Sequence, residues 1–147
     1  IQANVRVITN LGHVKVVNSA YRLSPGRHFQ TPELRRWLCE AQMPSGVTAL
    51  TSRACTAWLR DTGLSQTGTW MDSVGLAAAA WPWGFYMVPQ VMGVWVENPD
   101  SFGGANRPLE RRVSGREGVR AWLGDPRVSG MVPWDVRDWL IRAVGEG

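Results

Sequence analysis

Ser52, Arg53, Thr56 and Arg60 stand at spacings that bring hydroxyls and guanidinium groups onto one side of a helix. Short hydroxyl side chains donate and accept hydrogen bonds, and arginine binds an oxyanion through two parallel N–H groups. Such a face suits phosphate groups or the edges of bases. The same pattern also describes the wet side of a packed helix. Arg35 and Arg36, on a preceding helical segment, are the remaining candidates for an anionic partner.

Other chemistry finds less support. The candidates for a thiolate–imidazole pair are Cys39, Cys55, His13 and His28, and both histidines precede both cysteines. That is the reverse of the order in papain-like proteases, although other Cys–His geometries remain open. The four residues have no C-x-x-C or H-x-x-x-H spacing, so no structural zinc is expected. No phosphate loop, dinucleotide fingerprint or nucleophile elbow is present. Asp135 and Asp138 could pair for acid–base work, but Arg137 and Arg142 beside them read as a solvated, charge-balanced face. No cofactor is expected, and the reading is of a non-catalytic protein.

Charge distribution gives the first function class. The chain has 147 residues and a formal net charge of +4. Residues 1–60 carry a balance of +6, residues 61–106 a balance of −4 with no lysine or arginine, and residues 107–147 a balance of +2. A basic first third attracts phosphates or acidic partners, and it also keeps a protein soluble. Fifteen of the sixteen basic residues are arginine, which suits bidentate or stacked contacts but also follows from a GC-rich gene.

Several elements must position these groups. Residues 4–17 alternate around Asn10-Leu11-Gly12 as a β-hairpin, and Arg27–Gln30 is a further short strand. Thr31-Pro32-Glu33 opens a helix over 32–43, with Leu34, Trp37, Leu38 and Ala41 at helical spacing. A second helix follows over 47–61, with Gly63 as its C-cap. Trp70-Met71, Phe85–Val88 and Val91–Val96 read as strands, Leu76–Ala80 as one helical turn, and residues 97–113 as a loop ending in the arginines of RPLERR. Ser114 and Glu117 form a capping box for the next helix, and Pro133 opens the last one.

A helix, a turn and a helix over residues 32–62, followed by strands, resembles a winged helix-turn-helix in layout. That resemblance implies that the second helix enters a DNA groove through Ser52, Arg53, Thr56 and Arg60. The turn contains Pro44, and a hairpin stands where a third helix normally precedes the pair. The fold expected is a single α+β domain over residues 1–147: an N-terminal β-hairpin, a central helix pair, apolar strands and two C-terminal helices.

Nine tryptophans in so short a chain predict a large aromatic core, a binding surface, or both. Trp81, Trp83, Phe85, Tyr86 and Trp95 cluster in the segment that lacks basic residues. Stacking on single-stranded bases would want arginines interleaved there, so a core or an apolar protein interface is the expectation for this cluster.

Two function classes follow. One is a nucleic-acid-binding module. The other is a structural or assembly subunit of a virus, phage or other large particle, with protein partners or a homo-oligomer. No run of 18 apolar residues exists, so no membrane span is expected. The chain begins at Ile1 and no leader is visible, which leaves a processed product, an excised domain or an ordered part as alternatives. An intracellular or virion setting is expected, with the compartment open.

Overall fold

Three long-range contacts organise the molecule: a parallel strand pair, a glycine seated on backbone, and an arginine bound across helices. The computed structural model describes residues 2–8, 14–17, 23–40, 51–96 and 109–145. Four strands form one sheet: β1 (Gln2–Ile8), β2 (Val14–Val17), β3 (Gly26–His28) and β4 (Phe85–Val96), in the order β2-β1-β4-β3. The helices are α1 (Pro32–Glu40), α2 (Arg53–Asp61), α3 (Met71–Trp83), α4 (Leu109–Gly124), α5 (Pro126–Ser129) and α6 (Trp134–Gly145). A 3-10 segment, Leu64–Trp70, joins α2 to α3. The class is α+β, with helices and one mixed sheet.

The strands β1 and β2 pair antiparallel, as the hairpin pattern predicts, with Val5 opposite Val17 and Ile8 opposite Val14. The expected pair of strands at 85–96 is instead one strand of 12 residues. It runs parallel to β1, and the register slips on either side of Asn4, where Ala3 faces Val88, Asn4 faces Val91 and Val5 faces Gly93. Pro89 lies inside the slipped stretch. Proline has no N–H for a ladder, and an irregularity is where a sheet tolerates it.

The strand expected at Trp70-Met71 is a helix start, and the single turn expected at Leu76–Ala80 is the middle of the 13-residue α3. The sequence AAAA has the strongest helix propensity but no amphipathic stripe, because Val74, Gly75 and Ala77–Ala80 are all buried. A helix that is apolar all round gives no period to read. It ends at Trp83, one residue after Pro82, and Gly84 is its C-cap.

α2 starts later than the expected residue 47. Ser52 is its N-cap and accepts a hydrogen bond from the Cys55 amide at 3.2 Å, so Thr51 and Ser52 precede the helix. Residues 41–50, which include the ends of both predicted helices, lie outside the described residues. α4 begins at Leu109, before the expected capping box, so residues 109–113 are helical rather than loop. Residues 97–108 lie outside the described residues.

α2, α3 and α4 pack against the 3-10 segment, and α6 packs on α1, α3 and α4. α4 lies along the 3-10 segment, and a Cβ added to Gly118 would come within 2.0 Å of the Gln66 carbonyl oxygen. Only glycine allows that approach. Leu34, Leu38, Val119, Trp122, Leu123, Val136 and Leu140 fill the core between α1, α4 and α6. Trp37 is 3% exposed and meets Phe85 at 5.0 Å between ring centroids, which joins α1 to the sheet. Trp58 is half-buried and packs edge-on against Trp122 at 6.0 Å. The Trp122 indole donates to Thr62 Oγ1, and that hydroxyl donates to the Trp58 carbonyl. The indole N–H groups of Trp37, Trp58 and Trp70 find no partner among the described residues. Each buried, unpaired donor costs stability, which the aromatic contacts must offset.

Candidate functional site

α2 turns one stripe inward and one outward. Cys55 and Leu59 are buried, while Arg53, Thr56 and Arg60, three and four residues apart, are exposed. The helix thus brings three of the six predicted residues onto one line. Arg53 makes no ion pair among the described residues. Arg60 donates through Nε to Asp61 Oδ1 at 2.8 Å. Both partners lie in solvent, so water and salt screen the pair. Thr56 Oγ1 donates to the Ser52 carbonyl at 3.0 Å and meets Thr51 Oγ1 at 2.7 Å.

The other three predicted residues are placed differently. The Ser52 hydroxyl is engaged as the helix cap. Arg35 is bound bidentately to Asp135 of α6, through Nε to Oδ2 at 2.8 Å and Nη2 to Oδ1 at 3.0 Å. Its guanidinium also lies over the Trp81 ring of α3, 5.7 Å from the centroid. Arg35 therefore clamps three helices together. Hydrogen bonding by Arg35 holds the Asp135 carboxyl below its ordinary value. Asp135 thus does not simply face water, and neither does Arg137, which donates to the backbone carbonyls of Val132 and Leu123. Arg36 is exposed one turn beyond Glu33. α1 packs on α6 and α3, whereas α2 packs on α3 and the 3-10 segment, and the two share no substantial interface. The helix-turn-helix layout requires the first helix to brace the second, and here it does not.

Sequence reasoning missed two features. The first is a largely apolar cavity of about 430 Å³ between α2, the 3-10 segment and α3, lined by Leu59, Leu64, Met71 and Leu76 together with Thr56, Arg60 and Asp72. Only the contact between these elements creates it. The second is at the free edge of the sheet. β3 sets Arg27 directly opposite Tyr86, so a basic residue reaches the aromatic segment from outside it.

Burial raises the thiols of Cys39 and Cys55 above their ordinary value, which disfavours the nucleophilic thiolate. Both are free. Among the described residues, no three His, Cys, Asp or Glu side chains converge as metal ligands. Nor is any described helix long and apolar enough to cross a membrane. Comparisons with protein-family models, curated proteins and solved structures return no significant match. The roles of these residues therefore rest on their geometry and chemistry.

Proposed function

We propose that this chain is a non-catalytic binding module that holds nucleic acid through the outer stripe of α2. The exposed line of Arg53, Thr56 and Arg60 carries the reading, together with an Arg53 that has no ion-pair partner among the described residues. Because α1 does not brace α2, contacts to phosphate fit the arrangement better than base readout.

A second reading is a structural or assembly subunit of a virus, phage or other large particle. It is supported by Trp134, which is 69% exposed, and by the exposed Met131 three residues before it. Exposed apolar groups of this size mark protein contacts.

The test is binding to duplex DNA across a salt series. Two arginine–phosphate contacts contribute about −2 to the slope of log affinity against log salt, at roughly 0.9 per contact. The double variant Arg53→Ala/Arg60→Ala should flatten the slope by about that amount. A slope indifferent to both arginines sinks the α2 reading. Light scattering with and without DNA then distinguishes the assembly reading, which requires large oligomers in the absence of DNA.

A further inference from the structure

β3 is three residues long and lies at the edge of the sheet. Its register with β4 pairs Arg27 with Tyr86 and His28 with Phe85. His28 and Phe85 are buried, whereas Arg27 and Tyr86 are exposed. Strand alternation therefore puts the guanidinium and the phenol side by side on the outward face.

Two more rings join them. The chain enters β4 through Gly84, at φ 78° and ψ 167°, a conformation essentially restricted to glycine. The Phe29 ring covers that glycine: a Cβ there would lie 3.2 Å from Phe29 Cδ2. Trp83 precedes Gly84 directly. Phe29, Trp83 and Tyr86 are 50%, 40% and 49% exposed. Arg27, Tyr86 and Phe29 thus share one corner of the molecule, with the exposed Trp83 next to Gly84 in sequence, although they come from two separate parts of the chain.

The acid of this corner is already engaged. Glu33 accepts hydrogen bonds from the Ser24 amide and hydroxyl, at 3.1 and 2.9 Å. These bonds, the amide's first, hold its carboxyl below its ordinary value. His28 Nδ1 also lies 3.6 Å from Glu33. Glu33 thus stays ionised, and the exposed Arg36 one turn along α1 acts on it as the balancing charge, which leaves Arg27 as the net positive charge of the corner.

We propose that this corner is a stacking platform for the unpaired bases of a single-stranded nucleic acid, with Arg27 pairing with the adjoining phosphate. Every base has a π-face, so exposed rings take bases without regard to sequence, and arginine supplies the charge that a purely apolar protein contact would not need. Duplex bases are stacked on one another and cannot use the rings. The inference goes beyond the α2 reading: it shares the polyanionic partner but rests on different residues.

The experiment measures fluorescence anisotropy of a labelled oligothymidylate, about 12 nucleotides long, and of a duplex of equal length. It compares the wild type, Tyr86→Leu, Tyr86→Phe and Arg53→Ala/Arg60→Ala. Tyr86→Leu should weaken single-strand binding about 5- to 150-fold, the effect of losing one stacked base, while Tyr86→Phe keeps it and duplex binding stays unchanged. Tyr86 is exposed, and far-UV circular dichroism checks that each variant is folded. If Tyr86→Leu binds the single strand as the wild type does, the platform is overturned. It is also overturned if the wild type self-associates and Tyr86→Leu abolishes that, because the rings then belong to a protein contact. Single-strand loss with Tyr86→Leu, while the double arginine variant keeps wild-type duplex binding, would leave the platform standing and remove the α2 reading. The opposite pattern would do the reverse.

Discussion

α1 and α2 are each nine residues long and each carries two arginines, yet the structure uses them differently. On α1, Arg35 is held by Asp135, a residue 100 positions away in sequence, and by the Trp81 ring. Around it Leu34, Trp37 and Leu38 are buried. On α2, only Cys55 and Leu59 are buried, and both arginines lie in solvent. The arginine side chain is the same in both helices. Its role is set by whether an acid and a ring from elsewhere in the fold reach it, and that cannot be read from the helix itself.

Substitution of the core rings gives the largest test of this difference. Trp37→Ala should lower the free energy of unfolding by about 3–5 kcal/mol, the usual cost of removing a buried large aromatic. Trp58→Ala on the half-buried α2 should cost less. Urea denaturation measures both, and equal costs would remove the distinction between a core helix and a surface helix.

A smaller effect is expected at the arginines. Arg35→Ala should lower the melting temperature, whereas Arg53→Ala should leave it unchanged. The pH dependence sharpens this. The Asp135 carboxyl is held below its ordinary 3.8 in the folded state, chiefly by its hydrogen bond from Arg35. Its contribution to stability is therefore complete above that value and is lost as the pH falls through the lowered one. In Arg35→Ala the melting curve should flatten below about pH 4. An acid limb as steep as that of the wild type would show that Asp135 draws nothing from Arg35.

The smallest effect belongs to Arg60→Ala. Asp61 is also held low, first by its hydrogen bond from Arg60, but both groups are fully in solvent. Carbon-13 NMR should show the Asp61 carboxyl returning towards its ordinary value while the melting temperature stays put. A fall as large as that of Arg35→Ala would make α2 a second clamp.

The pairing of β1 with β2 and the N-terminus of α1 were legible because each depends on local signals: alternation, and a capping threonine before proline. α3 was not, because an all-apolar alanine helix has no period. The start of α4 was obscured because residues 97–113 read as a loop and Ser114 with Glu117 as the cap of a later helix, whereas the helix already begins at Leu109. Spacing alone indicated that Arg53, Thr56 and Arg60 share an exposed stripe of one helix. The departures were Ser52, diverted to capping, and Arg35, diverted by an acid no local pattern connects to it. Arg27 was missed because its neighbour Tyr86 is brought to it only by the sheet.

The parallel pairing of β1 with β4 also sets a timetable for synthesis. β1 is made well before its central partner, which does not exist until Phe85 and its successors emerge. At about 5–20 residues per second, a ribosome leaves β1 waiting for roughly 4–15 seconds. For that interval β1 and β2 have only each other among the described strands, and a lone two-stranded ribbon is marginally stable in water. The sheet of this protein is thus closed from its middle, by a strand that arrives after α1, α2 and α3 have been made.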